Sequence, residues 1–376
     1  MISPKLFYNL LLGHSINFYT GVPDSLLKNL CAYISDCAPK EHNVIAANEG
    51  GAVALAAGHY LSTGRIPVVY MQNSGLGNTV NPLMSLTDKQ VYHIPVLLVI
   101  GWRGEPGVKD EPQHRKQGLV TTDLLTAMGI KYEILTDDEA NLDVQINRAV
   151  EYMRTTGEAF AFVVRKGTFD SYTLHRTDSP ELSLTRERAI QMVADSVGDK
   201  DVVVSTTGMI SRELFEYRVA RGKGHEQDFL TVGSMGHASQ IALGIATAQP
   251  TRRVFCFDGD GATIMHTGNM AIVGQLAPKN YYHIVFNNGA HDSVGGQPTV
   301  GLSIDIPAIA KACGYKTSCS VDNESDLVRA LKDLPQCQTP YMLEVKVKRG
   351  ARADLGRPTT TPVENKNALM SFLSDK

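Results

Sequence analysis

Arg253-Val-Phe-Cys-Phe-Asp-Gly-Asp-Gly-Ala262 and, after 25 intervening residues beyond Gly261, Asn287-Asn288-Gly289 decide how this chain folds. One apolar run leads into Gly259-Asp260-Gly261, a second leads through 281–286 into the Asn pair, and the sequence between them has the length of a helix. That is a βαβ unit, whose strands are parallel and end on one edge of the sheet, where ligands bind in open α/β folds. Asp260 and Asn288 therefore converge across about one strand spacing. They offer oxygen ligands to a hard cation such as Mg²⁺, which takes a few protein oxygens at about 2.0–2.1 Å and completes its octahedron with phosphate and water. Gly259 and Gly261 let a bulky phosphate-bearing ligand approach the backbone, and the helix beginning at Ala262 adds N–H donors and a positive dipole end. Asp-Gly and Asn-Gly are also common turn dipeptides, so the information lies in the pair at this spacing. Position 264 is Ile and no Gly-Lys-Ser/Thr follows, which excludes the common nucleotide-binding motifs here.

Outward from this segment, short Val/Ile-rich runs alternate with helix-length stretches, the sequence form of parallel sheets covered by helices. Strands are expected near 18–20, 44–46, 68–71, 95–100, 132–135 and 159–165, then near 202–205, 254–257, 283–286 and 342–347. A polar stretch with Pro180 and no periodicity marks a linker at 171–184, between an α/β domain over 1–170 and a second over 185–376. A chain of 376 residues suits two cores better than one. Thr185 is placed to cap the helix that opens the second half. The similar rhythm of the halves suggests a common topology, although no repeat is visible at the residue level.

Composition narrows the function classes. With 43% apolar residues, 20% charged residues and a net charge of −3, there is no electrostatic case for nucleic acid or a membrane surface. Any anionic ligand must be held by local charges. No apolar run approaches the ~20 residues of a membrane-spanning helix, and the first 13 residues lack the features of a signal peptide. Cys31, Cys37, Cys256, Cys313, Cys319 and Cys337 form no C-x-x-C pair or finger spacing, which suits reduced packing thiols in a cytoplasm.

Gly259-Asp260-Gly261 followed by Asn287-Asn288 resembles the cofactor motif of thiamine-diphosphate enzymes. The resemblance implies a fold of two parallel-sheet α/β domains, one for the cofactor's pyrimidine and one for its diphosphate and Mg²⁺. It also implies metal ligation by the side chains of Asp260 and Asn288 and the carbonyl of Ala290, with Gly259, Gly261 and Ala262 against the diphosphate. Ala46-Ala-Asn-Glu49-Gly50-Gly51 through Gly58 resembles the family's catalytic-glutamate segment, which makes Glu49 the carboxylate that supports the imino form of the aminopyrimidine. Otherwise an acidic residue in a helix first turn contributes about 0.3–1 kcal/mol through the macrodipole. Gly50 and Gly51 each cost about 1 kcal/mol relative to Ala in a helix, which asks for a compensating reason such as close approach of a ring.

Gln72-Asn-Ser-Gly75-Leu-Gly-Asn78 resembles the glycine-rich loop beside the pyrimidine, placing Gly75 and Asn78 at the cofactor. Val232-Gly233-Ser-Met235-Gly236 resembles the segment whose large apolar residue props the cofactor in its bent form, and a plain core Met fits it equally well. The resemblance further implies a homo-oligomer, a dimer or higher, with active sites at the subunit interface and Glu49 reaching the partner chain's cofactor.

Larger members of the family insert a third domain, for which 171–184 leaves no room. The two-domain build resembles the phosphonopyruvate and sulfopyruvate decarboxylases. Gly21-Val-Pro-Asp24-Ser25, the stretch from Gly101 to His114, Asn287 to Thr299 and Arg352 to Pro362 resemble the phosphonopyruvate group, His291-Asp292-Ser293 above all. The implied reaction is loss of CO₂ from phosphonopyruvate to give phosphonoacetaldehyde, in phosphonate biosynthesis. Sulfopyruvate or another 2-oxo acid is the nearest alternative substrate. A non-catalytic cofactor-binding subunit is the alternative of another class, and the presence of both Glu49 and Asp260 speaks against it.

A phosphonate of charge roughly −1.5 to −2 needs charge-assisted donors, preferably a planar Arg fork. Arg103, Arg352 and Arg357, with Ser293, are expected at the substrate; Lys109 and Arg115 are further candidates, though most such side chains are merely solvated. Asp24, His114 and His291 are candidates to hold the carboxylate or to protonate the carbanion left after CO₂ departs, and each His has a structural reading beside the catalytic one. The pyruvate-decarboxylase branch carries a catalytic Glu six residues after the second Asn, where this chain has Val294, so the proton must come from elsewhere.

Overall fold

Period-two burial shapes both halves of the molecule in a computed structural model that describes residues 1–175 and 180–374. The chain divides into two units, Met1–Asp178 and Ser179–Lys376. Of the expected linker 171–184, residues 176–179 lie outside the described residues. In the first unit β1 (Tyr19–Gly21), β2 (Asn43–Ile45), β3 (Val68–Gln72), β4 (Leu97–Gly101), β5 (Lys131–Ile134) and β6 (Phe160–Val164) form one sheet in the order β2-β1-β3-β4-β6-β5. In the second, β7 (Val202–Ser205), β8 (Asp228–Leu230), β9 (Val254–Gly259), β10 (Tyr281–Asn287), β11 (Thr317–Val321) and β12 (Tyr341–Lys346) run in the order β11-β12-β10-β9-β7-β8.

All pairings within both sheets are parallel. Counted within each unit, both sheets have the order 2-1-3-4-6-5. The common topology expected from the strand rhythm is present, and it exists without a residue-level repeat because strand order depends on crossovers rather than on matching side chains.

Alternate residues of the central strands feed two apolar layers. Val68, Tyr70, Leu97, Val99, Phe160 and Phe162 join one layer of the first unit, while Val69, Met71, Leu98, Ile100, Ala161 and Val163 join the other. Phe255, Phe257, Ile284 and Phe286 go to one face of the second sheet, and Val254, Cys256, Tyr281 and Val285 to the opposite face. Helices therefore cover both faces, which is why these strands read as continuous apolar runs.

The ten expected strands are present with ends shifted by a few residues at most. β8 and β11 were not expected. Both are edge strands. β8 is three residues long, and β11, Thr317-Ser-Cys-Ser-Val321, is partly exposed along its length and carries no apolar run. Thr185 caps the helix Arg186–Asp195 by accepting the Arg188 N–H at 3.2 Å. The six cysteines are free thiols, and no helix among the described residues is long and apolar enough to cross a membrane.

In both sheets the chain crosses to opposite sides from neighbouring strands, β1 and β3 in the first and β7 and β9 in the second. A crevice opens outside the carboxyl ends of such a pair. Asp24 follows β1 and Gly75 follows β3; Gly208 follows β7 and Asp260 follows β9.

Candidate active site

In the second unit β9 and β10 pair with Gly259 opposite Phe286, so Asp260 and Asn287 leave neighbouring strand ends together. Asp260 is 2% exposed, its carboxylate accepts the Thr299 hydroxyl, and the backbone N–H of Asn288 is among the groups that favour its charged form. Burial pushes its pKa up to about 6, against the pull of these donors. Asn288 is buried too; its Nδ2 donates to the Asp292 carboxylate at 2.6 Å, and its Oδ1 accepts the Ala290 N–H at 3.0 Å. The amide is thereby oriented, with its nitrogen bound to Asp292 and an oxygen lone pair left for a further partner. Arg349 donates to the carbonyls of Asn288 and Gly289, at 3.4 and 3.0 Å. Asn287 donates to Glu344 at 2.6 Å and to the Gly301 carbonyl at 2.8 Å.

Gly301 closes the arrangement. A Cβ there would lie 2.6 Å from Asp260 Oδ2 and 2.7 Å from Asn287 Oδ1, so only glycine fits. At Gly261 a Cβ would meet His291 Cε1 at 2.9 Å and Met235 Cε at 3.3 Å, which brings both residues to the Asp260 turn. Met235 stands between Ser234 (φ +53°) and Gly236 (φ +84°) in the loop after β8 that also holds Gly233. Burial draws the pKa of His291 down to about 4, with Asp292 opposing. Ala262 is buried in a helix of only six residues, Asp260–Met265. The helix-length stretch between the strands holds two helices, since His266 and Thr267 separate this one from Gly268–Leu276, and a segment this short carries little dipole.

The carboxylate, carboxamide and main-chain carbonyls of this set are all oxygen donors, which suit Mg²⁺. Cys256, Asp258 and His283 also bring ligand atoms within 4.8 Å of one another, but these lie in the core and His283 is already bonded to Asp258 (3.3 Å) and Tyr315 (3.2 Å).

A buried charge network stands behind Asn288. Arg186 forks onto Glu213 at 2.9 and 3.1 Å and reaches Asp292 at 2.8 Å, and the Gly350 N–H adds a bond to Asp292 at 3.0 Å. Asp292→Ala is expected to weaken divalent-cation binding by about 10- to 100-fold, the usual effect of losing a group that orients a ligand. The same change removes one partner of a buried cation and should lower the melting temperature. Titration calorimetry and a melting curve check both; unchanged cation affinity would show that Asn288 does not depend on Asp292.

In the first unit Asn48 caps the helix Glu49–Thr63 by accepting the Gly51 N–H at 2.8 Å, and Glu49 is 6% exposed at its first position. Asn78 Nδ2 donates to Glu49 Oε2 at 2.7 Å, and a Cβ on Gly75 would lie 2.5 Å from Glu49 Oε1. Glu49, Gly75 and Asn78 thus form one group. The reason for Gly50 differs from the expected approach of a ring: its Cβ would meet the Asn78 carbonyl at 2.8 Å, so the chain's own backbone demands it. Around Gly51 only the Asn48 side chain comes near, at 3.4 Å.

Asp24, 0% exposed, accepts the Leu26 N–H at 2.9 Å and abuts Gly101, where a Cβ would meet Oδ2. Burial raises its pKa to about 6, and the Leu26 N–H and Arg103 hold it from rising further. Arg103 is committed within the protein, forked on Asp110 at 2.8 and 2.5 Å and donating to Ser25 at 2.8 Å. Asp110 and Ser25 thus fix the position of the guanidinium expected at the substrate. His114 is buried, its pKa is drawn down to about 4 by burial and by Arg103, and its Nδ1 has no partner among the described residues. Asp24, Ser25, Arg103, Asp110 and His114 form one cluster.

The two titrating members of that cluster oppose each other. The carboxyl of Asp24 has a folded pKa above its ordinary 3.8, so its burial costs stability above pH 6, a cost relieved as the pH falls from 6 toward 4. The imidazole of His114 has a folded pKa below its ordinary 6.5, so its contribution is full above 6.5 and lost as the pH falls through that value toward 4. The Asp24 slope is worth on the order of 3 kcal/mol, and the His114 slope less, because solvent screens the less deeply placed imidazole. Asp24→Asn removes the first and keeps the second, so the melting temperature should fall more steeply with acid between pH 6 and 4 than in the unsubstituted protein. Parallel curves would contradict this.

Ser293, Arg352 and Arg357 all lie in the second unit, where the Gly350 N–H bond to Asp292 joins the segments of Ser293 and Arg352. Ser293 faces Gly208, where a Cβ would be 3.8 Å from its Oγ. Arg352, expected at the substrate, is exposed and paired with Glu187 (3.0 Å), Asp354 (3.1 Å) and Glu216. Arg357, Lys109 and Arg115 are exposed. Sequence reasoning missed Thr299, Gly301 and the Arg186 network. Of these only the Pro-Thr at the end of the Asn287 stretch left a local signal.

Comparison with known proteins agrees with this geometry. Residues 4–126 match the thiamine pyrophosphate enzyme N-terminal TPP binding domain, and residues 206–345 match the C-terminal TPP binding domain of the same enzymes. A phosphonopyruvate decarboxylase of Streptomyces hygroscopicus is 34% identical, covering 100% of this chain and 95% of that protein. One of Streptomyces viridochromogenes is 34% identical, covering 97% and 93%. A sulfopyruvate decarboxylase of Methanosarcina acetivorans is 27% identical, covering 89% and 88%.

Proposed function

The chain belongs to the thiamine pyrophosphate enzymes and carries both cofactor-binding domains, and from that premise we propose that it decarboxylates 3-phosphonopyruvate to phosphonoacetaldehyde and CO₂. Similarity over the full chain to two phosphonopyruvate decarboxylases, at 34% against 27% for the sulfopyruvate enzyme, supports that substrate. The observation that carries the chemistry is the meeting of two strand tips, where β9 and β10 pair in parallel through Gly259 and Phe286 and release Asp260 and Asn287-Asn288 at one sheet edge.

Thiamine diphosphate, when bound, supplies the nucleophilic carbon and the electron sink for CO₂ loss. Asp260, Asn288 and the Ala290 carbonyl would hold the Mg²⁺ that anchors its diphosphate, with Gly259, Gly261 and Ala262 leaving the backbone open to it. Glu49 would hold the pyrimidine through Oε1, since Asn78 occupies Oε2. Met235 would prop the cofactor beside the Asp260 turn. Asp24 and His114 in the first unit and His291 in the second are the groups able to hold or deliver a proton after CO₂ leaves. The family's arrangement, with the two cofactor ends on different subunits, makes a homodimer or larger assembly the working form.

Release of CO₂ from phosphonopyruvate and from sulfopyruvate, measured side by side with thiamine diphosphate and Mg²⁺ present, tests the assignment. Faster turnover of phosphonopyruvate is expected. Faster turnover of sulfopyruvate would overturn the substrate, and cofactor binding without turnover of either would overturn the enzyme.

A further inference from the structure

Arg212 lies on the first turn of the helix Met209–Ala220, which starts from Gly208 at the carboxyl end of β7, the strand beside β9 at the switch point. Two contacts tie that turn to the site. Ile210 Cδ1 stands 3.5 Å from where a Cβ on Gly259 would be, and Gly208 faces Ser293 at 3.8 Å. Arg212 comes one turn after Gly208 on the same helix face, and long helical side chains lean toward the helix N-terminus and cover the preceding turn.

This guanidinium has no assigned task within its unit. Arg186, Arg218 and Arg253 each sit on a carboxylate. Arg212 is only partly exposed, and among the described residues it has no hydrogen bond or ion pair; burial alone acts on it and draws its pKa below the ordinary guanidinium value. Its helix neighbours offer no relief, because Glu213 is taken by Arg186, and Glu216 by Arg352 and the Gly356 N–H. A half-buried cation without an acceptor is unfavourable until an anion arrives, and a planar fork matches the oxygens of a phosphonate.

We infer that Arg212 recognises the second anionic group of the substrate, a phosphonate-type dianion, at the edge formed by Gly208 and Ser293. The inference rests on the decarboxylase reading and gives the phosphonate a cation that, unlike Arg103 and Arg352, is not paired with a carboxylate among the described residues.

The test compares Arg212→Gln and Arg212→Lys with the unsubstituted enzyme, all loaded with thiamine diphosphate and Mg²⁺. Loss of a charge-assisted contact should weaken binding of the unreactive analogue 3-phosphonopropionate, and raise KM for phosphonopyruvate, by about 10- to 100-fold in Arg212→Gln. Lysine should restore part of the loss, and turnover of pyruvate, which lacks the phosphonate, should stay the same. The melting temperature should hold, since no internal partner is lost. Unchanged analogue binding overturns the inference. So does weakened cofactor retention with an unchanged preference for phosphonopyruvate over pyruvate, which would assign the guanidinium to the cofactor's diphosphate. If the unsubstituted enzyme releases no CO₂ from phosphonopyruvate the decarboxylase reading fails, and the calorimetric binding of 3-phosphonopropionate still decides the role of Arg212.

Discussion

Glu49→Gln is expected to slow decarboxylation by about 10²- to 10⁴-fold, the range for a general acid–base group, while cofactor affinity stays close to that of the parent. The carboxylate is buried, one oxygen is bonded to Asn78, and the other faces Gly75 across a gap too small for a methyl group. Glutamine keeps that shape and can still accept from Asn78. What it cannot do is take and return the proton of a ring nitrogen, so binding and activation should separate. Exchange of the cofactor's C2 proton for deuterium, followed by NMR, reads activation without needing turnover. The exchange should collapse in the variant; exchange at the parent rate would remove Glu49 from the mechanism.

Asp260→Ala is expected to abolish retention of the cofactor through dialysis. Asp260 is the charged oxygen donor of the proposed cation set, so its loss should exceed the roughly 10- to 100-fold effect of an outer group such as Asp292. The fold should survive, because burial already disfavours this carboxylate, and its removal frees the Thr299 hydroxyl without stranding a charge. A melting temperature near that of the parent, together with lost retention, is the expected pair of results. Retention at the parent level would place the cation elsewhere.

Much of this was legible in the sequence because parallel strands buried on both faces are written as apolar runs, and because a strand end must be followed by residues that can turn. Val254 to Gly259 and Tyr281 to Asn287 show both features, so the meeting of Asp260 and Asn288 followed from the βαβ rule alone. β8 and β11 stayed hidden because edge strands bury little and carry no such run. The link from Arg186 through Asp292 to Asn288 spans more than a hundred positions, and only the folded chain brings its members into contact. Arg103 shows the converse: nothing in its loop signals that Asp110, seven residues on, holds its guanidinium. Sequence spacing identifies which residues share an edge, but it does not say which charges are already satisfied.

Calorimetric titration of thiamine diphosphate into the metal-stripped protein, with and without Mg²⁺, tests most directly whether Asp260 and Asn288 hold a cation that anchors the cofactor. The account predicts tight binding with Mg²⁺, and little or none without a divalent ion. Equal binding in the two titrations would contradict it.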